Sequence, residues 1–108
     1  MKKILTALTA VTALTLTACG GGDADDSGLV QSGKLTVCAT VPYEPFEFVK
    51  DGETVGFDID LADKLAERLD VETEVLSTPF EGIQSGTSLD TGKCDIAISG
   101  ISITDERK

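Results

Sequence analysis

Apolar positions change period several times along the chain, and each change marks an element. Residues 4–16 form a nearly continuous apolar run, diluted by Thr6, Thr9, Thr12 and Thr15. Residues 20–33 show no apolar period: Gly20-Gly21-Gly22 is followed by Asp23, Asp25 and Asp26. Residues 35–40 are mostly apolar without alternation, which predicts a strand buried on both faces. Residues 41–46 read as a loop stiffened by Pro42 and Pro45. Residues 47–55 read as a hairpin turning at Asp51-Gly52.

From residue 58 to residue 69 the period becomes helical. Phe57, Leu61, Leu65 and Leu69 recur every four residues beside Ala62 and Ala66, and the leucines are expected to pack on a sheet. Asp58 and Asp60 near the start and Arg68 near the end complement the helix dipole. A second strand is expected over residues 71–76, with Val71, Thr73 and Val75 inward and Glu72 and Glu74 outward. Residues 79–89 read as a looser helix around Phe80, Ile83 and Leu89, made irregular by the polar stretch 84–91. A third strand is expected over residues 94–98. Gly100 then allows a turn, and Thr104, Asp105 and Glu106 look like a helix cap and first turn. The order strand, helix, strand, helix, strand predicts an α/β fold with a parallel sheet and right-handed crossovers.

In such sheets ligands bind beyond the carboxyl ends of the strands. Three segments converge there: the loop bearing Tyr43 and Phe46, the turn at residues 78–80, and residues 99–107. Ser102 and Thr104 offer hydroxyls, and Arg107 offers a planar fork of donors suited to a carboxylate. The last segment alone fits an ordinary strand-to-helix connection as readily as an anion site. With an aromatic wall beside it, the edge suits a small amphiphilic carboxylate.

Composition narrows the classes. A chain of 108 residues allows at most one small domain. A formal charge of −10, from 19 acidic and 9 basic residues, leaves no basic patch for nucleic acid. The sequence has no His, which excludes His-based triads, general bases and metal ligands. Its three cysteines form no zinc or CxxC spacing. No cofactor is implied.

Met1-Lys2-Lys3, the apolar run and the small residues after it make residues 1–18 a secretory signal peptide, too short for a membrane span. Leu16-Thr17-Ala18-Cys19 resembles the lipobox of bacterial lipoproteins. That resemblance implies cleavage before Cys19 and diacylation of its sulfur, hence a lipid anchor in the membrane. Residues 19–33 then form an acidic, Gly-rich tether, and residues 34–108 the folded part. In an exported protein Cys38 and Cys94 are either bridged or two buried small side chains.

Gly56-Phe57-Asp58-Ile59-Asp60-Leu61-Ala62-Asp63-Lys64-Leu65-Ala66-Glu67-Arg68-Leu69 resembles the signature of the family 3 extracellular solute-binding proteins, the polar amino acid receptors of ABC importers. Tyr43-Glu44-Pro45-Phe46-Glu47-Phe48 and residues 95–107 match that family in the same order. The resemblance implies a type II periplasmic-binding-protein-like fold, of which this chain is a partial first lobe with a parallel sheet and flanking helices. It implies a binding protein rather than an enzyme. The expected partners are an amino acid and a membrane permease, outside the cytoplasm. Tyr43 and Phe80 stand where the family sets aromatics against the ligand. Ser99, Gly100, Ser102 and Thr104 stand where backbone and hydroxyl groups hold the amino acid. Arg107 matches the arginine that takes the α-carboxylate. Thr40 stands where some members carry an acid. Proteins with this domain also include extracytoplasmic dehydratases, murein-cleaving enzymes and sensors, so these remain the alternatives.

Overall fold

A computed structural model describes residues 28–108; the expected signal peptide, Cys19 and most of the expected tether lie outside the described residues. Strand β1 (Lys34–Ala39) is followed by a short hairpin of β2 (Phe48–Lys50) and β3 (Glu53–Val55). Helix α1 (Phe57–Leu69) and strand β4 (Glu72–Ser77) come next. Two short helices, α2 (Phe80–Gln84) and α3 (Thr87–Asp90), lead to β5 (Ile96–Ala97) and a closing 3₁₀ turn (Asp105–Arg107).

The main sheet has the order β4-β1-β5, and both pairings are parallel. Strand β1 pairs with β4 from Lys34↔Glu72 to Ala39↔Ser77, and with β5 at Val37↔Ile96 and Cys38↔Ala97. As the central strand it is covered on both faces, which explains its mostly apolar run. Leu35 and Val37 pack against Ala62 and Ala66 of α1, with Leu29, Val71, Ile96 and Ile98 at the margin. Cys38 points to the opposite face and packs with Ile83 of α2 and Cys94. Cys38 and Cys94 are joined by a disulfide with Cα atoms 5.8 Å apart.

Helix α1 corrects one expectation. The face on the sheet carries Ile59, Ala62 and Ala66, all buried, whereas Phe57, Leu61, Leu65 and Leu69 are 40–64% exposed. Helix geometry accounts for this. At 3.6 residues per turn, a row spaced every four residues drifts by about 40° per step, while alternating steps of three and four stay on one face. The alanines then let the helix lie close to β1. Leu61 and Leu65 border a shallow groove with Ile96 and Ile98.

Three further differences have local causes. The helix expected over residues 79–89 breaks into α2 and α3 at Gly86, whose φ is 78°. Strand β5 is shorter than expected because its first residues are diverted. Cys94 enters the disulfide, and the Asp95 carboxylate accepts from Val30 N and Thr36 N, both at 2.7 Å. Strand β4 starts at Glu72, and Glu74 is half-buried rather than outward, its carboxylate 2.7 Å from Lys34 Nζ.

The start of α1 is docked onto the proline loop. The amides of Phe57 and Asp58, which a helix cannot satisfy internally, donate to the carbonyls of Pro45 (3.1 Å) and Phe46 (3.0 Å). Gly56 makes this approach possible at φ 134°. A Cβ there would lie 2.9 Å from the Pro45 carbonyl oxygen and closer still to that of Phe46. Backbone cannot move aside as a side chain can. Gly56→Ala should therefore destabilise the full-length protein by about 1–3 kcal/mol. Equilibrium urea unfolding checks this, and an unchanged midpoint would sink it.

Candidate functional site

Strands β1, β4 and β5 all point their carboxyl ends at one edge, and the segments leaving them build a cavity there. The chain leaves β1 at Ala39 into Thr40, Pro42 and Tyr43. It leaves β4 at Ser77 and reaches Phe80 on the first turn of α2, and it leaves β5 at Ala97 into residues 99–107. The cavity has a volume of about 350 Å³ and is lined by Thr40, Pro42, Tyr43, Phe80, Ser99, Gly100, Ile101, Ser102 and Arg107.

The structure thus brings six of the seven expected ligand residues to one cavity: Tyr43, Phe80, Ser99, Gly100, Ser102 and Arg107. Thr104 stands apart from the lining. It precedes the 3₁₀ turn, where its carbonyl accepts from Arg107 N at 3.2 Å, and its hydroxyl makes no capping bond. Its place is to set the backbone that carries Arg107. The turn's own backbone N–H holds the Glu106 carboxylate below its ordinary range, with help from the Thr104 hydroxyl. Thr40, Pro42 and Ile101 belong to the wall although sequence reasoning gave them no binding role. Their position just after β1 or between Gly100 and Ser102 is the signal that could have found them.

Tyr43 and Phe80 form the aromatic part of the wall. Tyr43 packs on Phe46 with ring centroids 5.2 Å apart, and Phe46 meets Phe57 edge-on at 6.5 Å. Gly100, at φ 54°, lies beneath Tyr43, and a Cβ there would sit 2.6 Å from Tyr43 Cε1. Glycine is needed so that the loop backbone can lie against the ring.

Arg107 is held from two sides. Its Nη1 donates to the Ser102 carbonyl at 3.0 Å, and its Cζ lies 5.6 Å from the centre of the Phe80 ring. A cation over an aromatic face gains a cation–π attraction at little desolvation cost. Most of its five donors remain for a ligand, in a fork that matches a carboxylate.

Ser99 holds the loop from within. It is buried, and its hydroxyl donates to Glu47 Oε1 while accepting from Thr40 N at 3.0 Å. That hydroxyl is spent within the protein, so Ser99 presents backbone to the cavity. The next amide, Gly100 N, donates to Asp58 Oδ2 at 2.6 Å. Glu47 and Asp58 are both buried, one from the hairpin entry and one from α1, and they stand directly behind the loop. Burial pushes the Glu47 carboxyl up to about 6; the Ser99 hydroxyl opposes this, and the Asp58 carboxyl adds to it. Sequence reasoning missed this pair. An acid between Phe46 and Phe48 fits the ordinary alternation of a half-buried strand, so the sequence carries no signal that it is buried.

Residues 35–108 match the bacterial extracellular solute-binding proteins, family 3. The chain belongs to that family. It is 36% identical over 112 residues to the probable histidine-binding protein of Campylobacter jejuni, covering all of this chain and 43% of that protein. It is 37% identical over 103 residues to the cyclohexadienyl dehydratase of Pseudomonas aeruginosa, covering 92% of this chain and 38% of that protein. Among solved structures, the arginine-bound form of domain 1 of TmArgBP from T. maritima matches with a TM-score of 0.64 and 46% identity, over 69% of this chain and 59% of that one. The parallel sheet with its flanking helices is therefore part of a periplasmic-binding-protein-like domain. The chain spans about two fifths of the length of the curated relatives it matches.

Proposed function

We propose that residues 34–108 form part of the first lobe of an extracytoplasmic receptor that binds a polar amino acid and hands it to the permease of an ABC importer. The observation that carries this reading is Arg107, set over the Phe80 ring and tied to the Ser102 carbonyl, in a cavity that Tyr43 also lines. A guanidinium fork beside aromatic rings suits the α-carboxylate and the aliphatic part of an amino acid. Ser102 and the Gly100 backbone add polar groups at the same rim. The amino-acid-binding relatives support this class of ligand, and the family supports a place outside the cytoplasm. In the proposed whole protein, Cys19 carries the lipid, residues 19–33 tether the lobe to the membrane, and a second lobe closes over the ligand.

The dehydratase relative supports a second reading, an extracytoplasmic enzyme on the same lobe. Calorimetric titration of the full-length protein with a panel of amino acids separates the two. A receptor gives a saturable isotherm with one or a few amino acids. Absence of heat with every amino acid would sink the receptor reading, and continuous heat after saturation would favour the enzyme.

A further inference from the structure

Glu47 Oε2 is fully buried and meets no hydrogen-bond donor among the described residues, although Oε1 of the same carboxyl accepts from Ser99. Two groups face this carboxyl: the Ser99 hydroxyl from the loop after β5, and the Asp58 carboxyl from α1. Two ionised carboxylates cannot satisfy one another, and an orphaned buried oxygen is costly. A proton on Glu47 Oε2, donated to Asp58, resolves both problems at once. It also completes a chain in which each carboxyl holds one link of the ligand loop. Glu47 accepts from the Ser99 hydroxyl, which in turn accepts from Thr40 N, and Asp58 accepts from Gly100 N.

We propose that Glu47 and Asp58 are positioning residues that share one proton and thereby set the Ser99–Gly100 backbone against the ligand. The proposal rests on the amino-acid-binding reading of the cavity. A ligand carboxylate beside this loop disfavours a second negative charge behind it, so binding raises the affinity of Glu47 for its proton. By linkage, proton uptake strengthens binding, and a rise of one pKa unit on binding corresponds to a tenfold difference in affinity. The sign for stability is the same. The folded state keeps the proton up to about 6, whereas the ordinary value is 4.5. Stability therefore falls as pH rises between those values and stays lower above them.

The test compares the full-length wild type with E47Q, whose amide donates to Asp58 permanently while its carbonyl accepts from Ser99. The probe is whichever of L-arginine, L-glutamine and L-cystine binds most tightly; none has a side chain that titrates between about pH 5 and pH 8. Wild-type affinity should fall about tenfold across that range, whereas E47Q should show no such slope and E47A should bind more weakly throughout. A merely structural role would lower affinity without moving the pH profile. D58N, whose amide donates to Glu47 and whose carbonyl accepts from Gly100 N, serves the same comparison should E47Q fail to fold. Urea midpoints measured without ligand form a second arm. The wild-type midpoint should decline as pH rises from about 4.5 to about 6, and that of the variant should not. If no probe binds, the receptor reading fails and the urea arm alone decides the pair. A variant that keeps the wild-type pH profile, or a wild type flat in every arm that can be read, overturns the proposal.

Discussion

Replacing Arg107 with alanine should weaken amino acid binding to the full-length protein by roughly 2–5 kcal/mol, the range for breaking a desolvated charge pair. The structure explains why one residue should matter so much. The contact with the Phe80 ring and the bond to the Ser102 carbonyl restrict the guanidinium before a ligand arrives. Less side-chain entropy is then lost on binding, and the remaining donors are available to a carboxylate as a fork. Without them, that carboxylate would be enclosed with only backbone and hydroxyl partners. Arg107→Lys should restore only part of the loss, because an ammonium does not supply the planar fork. The magnitude also reports on closure. Arg107 is exposed in the lobe described here, and an ion pair left in water is worth about 0–1 kcal/mol. The larger figure therefore requires a second lobe that shuts water out. Titration calorimetry of wild type, R107A and R107K measures it, and an R107A affinity within about a factor of two of wild type would remove the carboxylate site.

How far the sequence could be read depended on how locally each feature is determined. Strand β1 was legible because a strand covered on both faces leaves a mostly apolar run without alternation. The hairpin was legible because Asp51 and Gly52, at φ 54° and 86°, are the residue types that such a turn accepts. The existence of α1 followed from its period, but its buried face did not. Large leucines dominate the pattern, and the small Ala62 and Ala66 that contact the sheet carry little signal. At the cavity, the aromatic and hydroxyl residues were found because they follow strand ends. The Glu47–Asp58 pair was hidden because an acid in a sequence ordinarily means a solvated face, and burial here arises only where the hairpin entry meets the start of α1. The sequence left Cys38 and Cys94 open between a bridge and two buried small side chains, because Cys38 comes late in its strand and Cys94 early in its own. In the sheet register Cys38 stands opposite Ala97, three residues past Cys94. The chain reaches Cys38 because Lys93 N bonds to Ser88 O, which brings Cys94 in from the α3 side before β5 begins.

Breaking that link should have the second large effect. Removing the Cys38–Cys94 disulfide should destabilise the lobe by about 4 kcal/mol, from the loop-closure entropy of a bridge spanning 56 residues. The bridge joins the central strand to the segment leading into β5, an edge strand of only two residues, Ile96 and Ala97. So short a strand adds few ladder bonds of its own, and the buried cluster of Cys38, Ile83 and Cys94 is what fastens it. The carboxyl end of β5 leads directly into Ser99 and Gly100, so the effect should spread from stability to the cavity. A domain of this size is stable by only about 0.05–0.15 kcal/mol per residue, so losing the bridge removes a large share of the total. The measurement is urea unfolding of the full-length protein with and without reductant, beside a C38A/C94A double variant. Reduction and the double variant should lower the midpoint by similar amounts, and the double variant should no longer respond to reductant. In the oxidised wild type, neither cysteine should label under denaturing conditions until reductant is added. Full labelling without reductant, or coincident unfolding curves, would mean that the core alone holds β5 in register.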